Sequence, residues 1–426
     1  MRKLLLVFVL SLVFSPLMAG DKPRFLDVIV SLDTGFALGE HSANRSAAAE
    51  IARGFGVEPT ATWGTALFGF AARIPEGRLA ALRNDPRVAY VEMDRSFSLA
   101  GRGELAAVFA ASVAQTVPWS VTRIGAGPGA NEGAGVHVYV IDSGIAPSHP
   151  DLQANLGNGF ASWKCTGSGC QGKSWGDDLG HGTNVAGIIG AIDNGIDLVG
   201  VASRVTLHSV KVCGNFGTIC DVSKAITGID WVAKEVKTRG QPAAANMSFV
   251  FPGAKTGQCT ASGFTGSDAL HQALCNATRT GVVFAAGAGN GGLDTETQVP
   301  AAYDDAVMGV SATTQSNDWP DWSGWGDNTA SWTSSPSAPV TLAAPGVGIP
   351  VLTREGTIAV FNGTSLSTPH VTGAIALYLA SHPQAAAYSA FLNTRAALLA
   401  AAEDTGGFSN TSGHPHAEGF LNASGF

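Results

Sequence analysis

Three short segments carry residue types that together could break an acyl bond. Asp142 ends the apolar run VHVYVID, His181 lies in LGHGTNVAG, and Ser365 lies in FNGTSLSTPHVTG. A serine hydroxyl is a weak nucleophile until a neighbouring base takes its proton. An imidazole, whose ordinary pKa is about 6.5, can take that proton and return it to the leaving group. A carboxylate beside the imidazole would hold the tautomer that this step requires.

Each of these residues also has an ordinary structural explanation. Asp142 could cap the turn after its strand, and His181 or Ser365 could cap the start of a helix, as serine often does. A buried carboxylate at the end of an apolar strand is, however, costly without a partner. Because the three contexts occur in one chain, we favour the catalytic interpretation. The oxyanion of acyl transfer needs donors, and we predict the backbone N–H of Ser365 and the side-chain amide of Asn290.

The elements around these residues predict an α/β fold. The apolar runs 136–142 and 281–290 are typical of strands that are buried on both faces of a parallel sheet. The segments HGTNVAGIIGAI and GTSLSTPHVTGAIALYLA have the Gly and Ala faces of closely packed helices. This alternation predicts a doubly wound, mostly parallel sheet, whose ligands bind at the carboxyl ends of the strands. Asp142 and Asn290 fall at such ends.

A smaller α+β unit precedes this body. Residues 24–33 and 88–94 have the pattern of strands, and residues 76–85 have helical spacing up to Pro86. Residues 96–113 are rich in Ala, Gly and Ser, which is typical of a linker.

Composition and charge restrict the class of protein. Apolar residues make up 45% of the 426 residues and charged residues 14%, as in a compact globular protein. The net charge is −8 and there is no block of Lys or Arg, so we expect no nucleic-acid partner.

The first twenty residues, MRKLLLVFVLSLVFSPLMAG, predict a cleaved secretory signal, since positive, apolar and then small residues follow one another. The alternative is a membrane anchor, but the apolar run is shorter than the ~20 residues that span a bilayer. We therefore expect a secreted product, extracellular or periplasmic, with no membrane contact after the signal is removed.

Six cysteines agree with export, because an even number in a secreted chain predicts disulfides. Six cysteines allow about 15 pairings. We favour the pairs that each close a Gly-rich or polar loop: Cys165–Cys170, Cys213–Cys220 and Cys259–Cys275.

The motifs VIDSGI, HGTNVAG, GAGN and GTSLSTP, in this order, resemble those of the subtilisin-like serine proteases over nearly the whole chain. The resemblance implies a monomeric serine endopeptidase that hydrolyses proteins or peptides through an acyl-enzyme on Ser365. The small unit, which ends in VAYVEMD, is similar to the family's ferredoxin-like propeptide, an intramolecular inhibitor and folding chaperone. AQTVPW resembles the start of the mature enzymes, which implies self-processing between Val113 and Ala114. The expected domains are a signal peptide (1–20), a propeptide (21–95), a linker with the processing site (96–113) and a catalytic domain (114–426).

The resemblance implies two further sets of site residues. Peptide substrate would add as a strand between two segments of the chain, namely Gly217, Thr218 and Ile219 on one side and Ser248, Phe249 and Val250 on the other. A structural Ca²⁺ would take oxygen ligands only, namely side chains of Gln115, Asp151 and Asn194 and carbonyls of Ile192, Ile196 and Leu198.

Substrate preference can also be predicted. Val250 stands where the family usually has glycine, which should narrow the primary pocket. Val113 would itself precede the expected cut. Both observations favour small or aliphatic residues before the scissile bond.

Two other functions stay open at this point. An esterase would use the same residue types, but its serine usually lies in GxSxG and its triad residues follow a different order. A non-catalytic binding module would normally have lost a triad or oxyanion residue, and none is missing here.

Overall fold

The protein consists of a small antiparallel sheet followed by a large parallel one. The structure is a computed structural model, and it describes residues 24–99, 107–109, 114–129, 131–163, 165, 170–214, 219–326 and 339–426. The predicted signal peptide therefore lies outside the described residues, as do Gly217 and Thr218 of the predicted substrate strand and Val113 of the predicted cut.

The small unit is a four-stranded antiparallel sheet with the order β2-β3-β1-β4 and two helices, a ferredoxin-like arrangement. Helix α1 and the two strands that follow it were not predicted from the sequence, whereas the predicted strands at 24–33 and 88–94 and the predicted helix at 76–85 agree with the structure to within a few residues. The elements are β1 (Phe25–Leu32), α1 (His41–Gly54), β2 (Pro59–Trp63), β3 (Gly69–Pro75), α2 (Leu79–Arg83) and β4 (Val88–Met93).

The segment that was predicted as a linker contains two strands, β5 (Ser96–Leu99) and β6 (Ala107–Phe109). Both pair with strands of the large body. The body itself comprises α3 (Trp119–Arg123), β7 (His137–Asp142), β8 (Phe160–Ala161), α4 (His181–Gly190), β9 (Thr206–Lys211), β10 (Ile219–Asp221), α5 (Val222–Arg239), β11 (Ala243–Met247), β12 (Phe249–Pro252), β13 (Gln258–Thr260), β14 (Gly263–Thr265), α6 (Ala269–Arg279), β15 (Val282–Gly287), β16 (Gln298–Val299), β17 (Val307–Thr313), β18 (Leu342–Pro345), β19 (Ile349–Leu352), β20 (Ile358–Phe361), α7 (Thr364–Ser381), α8 (Tyr388–Ala401) and β21 (Gly419–Phe420).

The main sheet of the body has eight strands in the order β21-β18-β17-β15-β11-β7-β9-β8, and all of its pairings are parallel. Alternate residues of β7 pack into different cores: Val138 and Val140 face α4 and α7, and Tyr139 and Ile141 face α5 and α6. Burial on both faces explains why these strands are continuous apolar runs. The predicted doubly wound α/β fold is confirmed.

The small sheet covers the outer side of α5 and α6. Its inner face contributes Ile29, Trp63 and Ala71 to the same core as these two helices. Trp63 Nε1 donates a hydrogen bond to Thr227 Oγ1 at 2.9 Å. The opposite face of the sheet packs on α1 around Val28, Val30 and Ile51.

The disulfides of the structure are Cys165–Cys170, Cys213–Cys220 and Cys259–Cys275. The pairing predicted from loop closure is confirmed. Among the described residues, no helix is both long and apolar enough to cross a membrane.

Candidate active site

The carboxyl ends of β7, β11 and β15 lie side by side, since these strands are adjacent and parallel. Asp142 is the last residue of β7, Ser248 follows β11, and Asn290 follows β15. Ser365 lies in the first turn of α7, which packs across the middle of the same sheet. Ser248 Oγ donates to the main-chain oxygen of Ser365 at 2.8 Å and so links the edge of the sheet to this turn.

His181 and Asp142 form a direct pair. The imidazole Nδ1–H donates to the two carboxylate oxygens of Asp142 at 2.9 and 3.0 Å, and Asp142 is fully buried. Within the part of the chain that the structure describes, Nε2 has no hydrogen-bond partner. Because His181 and Ser365 line the same cleft, Nε2 can accept a proton from the side on which Ser365 lies.

The charge around His181 favours its protonated form. Burial alone would lower the pKa of His181, but the carboxylate of Asp142 and the nearby charge of Asp177 together hold it above its ordinary value of 6.5. The imidazole must be neutral to act as a base, so the base form is lost as pH falls through this raised value.

An open position beside Gly363 lies close to the hydroxyl of Ser365 and to two hydrogen-bond donors, Asn290 Nδ2 and the Ser365 backbone nitrogen. A Cβ placed on Gly363, whose φ of 152° favours glycine, would lie 3.0 Å from Ser365 Oγ, 3.4 Å from Asn290 Nδ2 and 3.7 Å from the Ser365 backbone nitrogen. The absence of a side chain keeps this spot open. An oxyanion formed there would be within reach of both donors.

The orientation of the Asn290 amide is set by its neighbour. Its Oδ1 accepts hydrogen bonds from the backbone N–H and the hydroxyl of Thr364, at 2.8 and 2.9 Å. Nδ2 is therefore directed toward Gly363 and the serine.

Asp177 joins the loop that follows Asp142 to the start of helix α4. One oxygen accepts from Ser143 Oγ (2.9 Å) and from the backbone N–H of Leu179 and Gly180; the other accepts from the backbone N–H and hydroxyl of Thr183. Ser143 Oγ in turn accepts from the N–H of Gly182. Sequence analysis did not identify Asp177, although its position shortly before His181 was a signal.

The two predicted substrate-binding strands form a groove that already contains a strand of this chain. In β5, Ser98 pairs antiparallel with Ile219 of β10 on one side and with Val250 of β12 on the other, and Leu99 pairs with Phe249. A peptide that is extended between two strands gains main-chain hydrogen bonds on both edges.

Val250 narrows the space beside Asn290. A Cβ on Gly289 would lie 3.6 Å from Val250 Cγ2, so the branched side chain faces the backbone just before the asparagine. A cleft of about 260 Å³ lies beside the serine. Its lining residues are Leu179, Gly180, His181, Asn184, Thr353, Arg354, Glu355, Phe361, Asn362, Ser365 and Leu366.

The six residues predicted for calcium lie together around a buried carboxylate. Asp151 is fully buried, and its Oδ2 accepts from Leu198 N–H at 3.2 Å, whereas Oδ1 has no partner among the described residues. Burial raises the pKa of Asp151 to about 7. Gln115 Nε2 donates to the carbonyl oxygens of Ile192 and Leu198, at 2.8 and 3.3 Å, and Gln115 Oε1 accepts from the N–H of Gly195.

This oxygen-rich set fits Ca²⁺, which would give Asp151 Oδ1 a partner and compensate its buried charge. Asn194 lies in the same loop, where its Oδ1 accepts from the N–H of Ile196. A different group, formed by Cys165, Cys170 and Asp178, has suitable spacing for a metal. Its two cysteines are joined in a disulfide, however, and so offer no thiolate.

Comparison with known proteins agrees with this geometry. A model of the subtilase family matches residues 133–420. The chain belongs to the subtilase family.

Two curated relatives of this subtilase are subtilisin E of Bacillus subtilis (strain 168) and an extracellular serine proteinase of Thermus sp. (strain Rt41A). The first is 35% identical over 320 residues, which are 74% of this chain and 71% of subtilisin E. The second is 35% identical over 332 residues, 75% of this chain and 68% of the relative. A solved cold-adapted subtilisin-like serine proteinase is 29% identical, with a TM-score of 0.54, covering 72% of this chain and 97% of that one.

The predicted family and enzyme class are thereby confirmed. This subtilase is a serine endopeptidase, and its substrates are proteins or peptides. The esterase and the binding module are no longer needed as explanations.

Proposed function

We propose that Ser365, His181 and Asp142 carry out peptide-bond hydrolysis through an acyl-enzyme. Ser365 Oγ attacks the substrate carbonyl while His181 Nε2 takes its proton, and the oxyanion accepts hydrogen bonds from Asn290 Nδ2 and the Ser365 N–H. His181 then passes the proton to the leaving amine. Water, activated by the same imidazole, attacks the acyl group and releases the acid. The observation that carries this proposal is the open spot at Gly363, which lies close to the nucleophile and to both donors.

The substrate would be held as an added strand between two segments: Ser248, Phe249 and Val250 on one side and Gly217, Thr218 and Ile219 on the other. The pairing of β5 with both β10 and β12 supports this. Val250 restricts the primary pocket, so we expect small or aliphatic residues before the scissile bond. A peptide library dominated by Phe or Tyr at that position would contradict this preference.

The chain is made as a secreted, monomeric zymogen. Residues 1–20 would be its signal peptide and residues 21–95 its inhibitory propeptide, and self-processing in the linker 96–113 would give a mature chain that starts after Val113, at Ala114. The strand β5 lies where substrate is expected, which supports inhibition by the enzyme's own N-terminal region.

Ca²⁺ would be held by Gln115, Asp151, Ile192, Asn194, Ile196 and Leu198 and would stiffen the loop that carries the last four of them. It supplies no step of the reaction. Chelation should lower the unfolding temperature of the wild type but leave that of Asp151→Asn unchanged; an equal loss in both proteins would contradict the site.

The central experiment uses a fluorophosphonate that reacts with activated serines. We expect labelling and casein hydrolysis by the wild type, and neither by Ser365→Ala. The corresponding change in subtilisin lowers turnover by about 10⁶-fold. Ser367→Ala, two residues along the same helix, is the matched control and should keep both activities. Labelling that persists in Ser365→Ala would contradict the proposal.

A further inference from the structure

The helix that carries the nucleophile contains a proline about one turn after the serine. Pro369 lies inside α7, four residues after Ser365. In an α-helix the N–H of a residue donates to the carbonyl four residues before it, and proline has no N–H to donate. Its ring also crowds that carbonyl. The Ser365 carbonyl therefore needs a donor from outside the regular helical pattern.

The hydroxyl of Ser248 supplies this donor, with its Oγ 2.8 Å from the Ser365 carbonyl oxygen. Ser248 Oγ accepts in turn from Asn246 Nδ2, at 2.9 Å, and Asn246 Oδ1 accepts from the hydroxyl of Thr372, at 3.0 Å. Thr372 lies on α7 itself, about two turns after Ser365. A chain of hydrogen bonds thus leaves the helix at Thr372, passes through two side chains of the sheet edge, and returns to the helix at the nucleophile.

The direction of these hydrogen bonds is fixed by their chemistry. A carbonyl only accepts, so Ser248 gives its single proton to Ser365 and accepts from Asn246. The amide must then turn its nitrogen toward Ser248 and its oxygen toward Thr372. The Thr372 hydroxyl also lies 3.2 Å from the carbonyl of Thr368, but this is the longer of its two contacts. The proton of Thr372 therefore sets the orientation of every group up to the nucleophile.

These polar side chains lie in apolar surroundings. Ser248, Asn246 and Thr372 are all fully buried. On the strands beside β11, Asn246 is in register with Val140 and Ala285, which belong to the core on which α7 packs. A buried amide costs free energy unless its oxygen and nitrogen are both hydrogen-bonded. Loss of the Thr372 hydroxyl would leave the Asn246 oxygen unpaired and the amide free to turn away from Ser248.

We propose that Thr372 and Asn246 are positioning residues, which act through Ser248 to hold the main chain of Ser365 in the orientation that acyl transfer requires. This inference rests on the proposed function. Both residues are fully buried, so they act through Ser248 and not on the substrate itself. The main chain of Ser365 places both the hydroxyl that attacks and the N–H that binds the oxyanion. Because all three side chains are uncharged, their loss should lower kcat without moving the pKa of His181.

The test compares Thr372→Val with Thr372→Ser, each expressed as the full chain, with active sites counted by the fluorophosphonate. Valine keeps the shape of threonine but not its hydroxyl. We expect kcat to fall about tenfold, since a misplacement of about 1 Å can cost about a hundredfold. KM and the acid limb of the pH profile should not change, and Thr372→Ser should keep the wild-type kcat. An unchanged kcat in Thr372→Val, or an equal fall in Thr372→Ser, overturns the proposal.

The matched control is Thr278→Val on α6. It also removes a buried hydroxyl, one that donates to the carbonyl of Ala306 at 3.2 Å. Its unfolding temperature should fall as much as that of Thr372→Val, whereas its kcat should stay at the wild-type value. If the control lowers kcat as much as Thr372→Val does, the effect is one of stability and the proposal is wrong.

Two combined variants test the order of the hydrogen bonds. Ser248→Ala removes the donor to Ser365, so adding Thr372→Val to it should lower kcat no further. Losses that multiply would overturn the proposal. Pro369→Ala restores an N–H that can reach the Ser365 carbonyl, so Ser248→Ala should lower kcat less in that background than in the wild type. An equal loss in both backgrounds would show that Ser248 does not replace the missing N–H.

The two proposals fail in different ways. If casein hydrolysis and fluorophosphonate labelling depend on Ser365, but kcat is the same in Thr372→Val as in the wild type, only this inference is wrong. If neither reaction depends on Ser365, the proposed function is wrong as well.

Discussion

Two buried carboxylates of the body each accept several hydrogen bonds, but the donors come from different parts of the chain. Asp177 accepts from Ser143, Leu179, Gly180 and Thr183, all of them in the body. Asp230, on α5, accepts from three consecutive backbone N–H groups of the small N-terminal unit, those of Gly64, Thr65 and Ala66.

The difference separates permanent from temporary partners. In the proposed maturation, the donors to Asp177 remain, whereas the donors to Asp230 are lost with the small unit and water replaces them. Asp177 can therefore position His181 throughout the life of the enzyme. Asp230 instead recognises the N-terminal unit. Burial of a carboxylate does not by itself distinguish these roles; the origin of its donors does.

The largest expected effect comes from replacing Asp230, the acceptor whose donors are lost with the small unit. Asp230→Ala leaves three N–H groups of the docked unit without an acceptor, and even one such loss costs about 1–3 kcal/mol. We expect the inhibition constant of an added fragment 24–99 to rise at least ~100-fold, while kcat/KM of the mature enzyme stays unchanged. The inhibition constant for Asp230→Asn, which keeps one acceptor oxygen, should lie between those of the wild type and Asp230→Ala. A fragment that inhibits Asp230→Ala as well as the wild type would show that this contact is not recognition.

Removing the charge of Asp177, whose donors all remain after maturation, should affect catalysis instead. In Asp177→Asn, an NH₂ group would face donors of Thr183 or Ser143, and we expect kcat/KM to fall about tenfold. Because the charges of Asp177 and Asp142 raise the pKa of His181, the acid limb of the kcat/KM profile should also move to lower pH. The exposed Asp404→Asn carries the same change of charge and should alter neither quantity. A lower kcat/KM with an unchanged acid limb of the pH profile would show that Asp177 has only a structural role.

The docking surface should also depend on pH. Glu92 accepts from the N–H of Ala269 at the start of α6, at 3.1 Å, and burial together with the charge of Asp268 raises its pKa to about 7. The docked state keeps this proton up to about pH 7, whereas the free fragment loses it near pH 4.5, so docking weakens as pH rises from about 4.5 to about 7 and changes little above that. We expect the inhibition constant to rise at least ~10-fold between pH 5 and 8. The Glu92→Gln fragment should show no such rise; equal slopes would rule Glu92 out.

The smallest expected effect concerns the wall of the groove. The disulfide Cys213–Cys220 brackets the segment that leads into β10. Replacing both cysteines with serine should raise KM a few-fold and change kcat less, because loosening the wall costs substrate ordering rather than chemistry. The matching replacement of Cys259 and Cys275, which join β13 to α6, should leave KM unchanged. A fall in kcat alone would contradict this role.

Much of the fold was predictable because its signals are local. The apolar run that ends at Asp142 predicts a strand buried on both faces, and the glycines before His181 and Ser365 indicate sharp entries into helices. The disulfide pairs were also predictable, since each closes a short loop. Helix α1 was missed because its face toward the sheet is built largely of alanines, which leave a weak periodic signal.

The sequence by itself determined the family, the parallel α/β fold and the residue types for acyl transfer, because each depends on short motifs whose chemistry does not need distant neighbours. Only the tertiary structure decided that Asp177 links the loop after Asp142 to the start of α4, that Asp230 accepts from the N-terminal unit, and that β5 and β6 pair with strands of the body. These features depend on hydrogen bonds and strand pairings between residues far apart in the chain. The composition of a linker does not indicate which strand it pairs with, because main-chain hydrogen bonds form with almost any side chain.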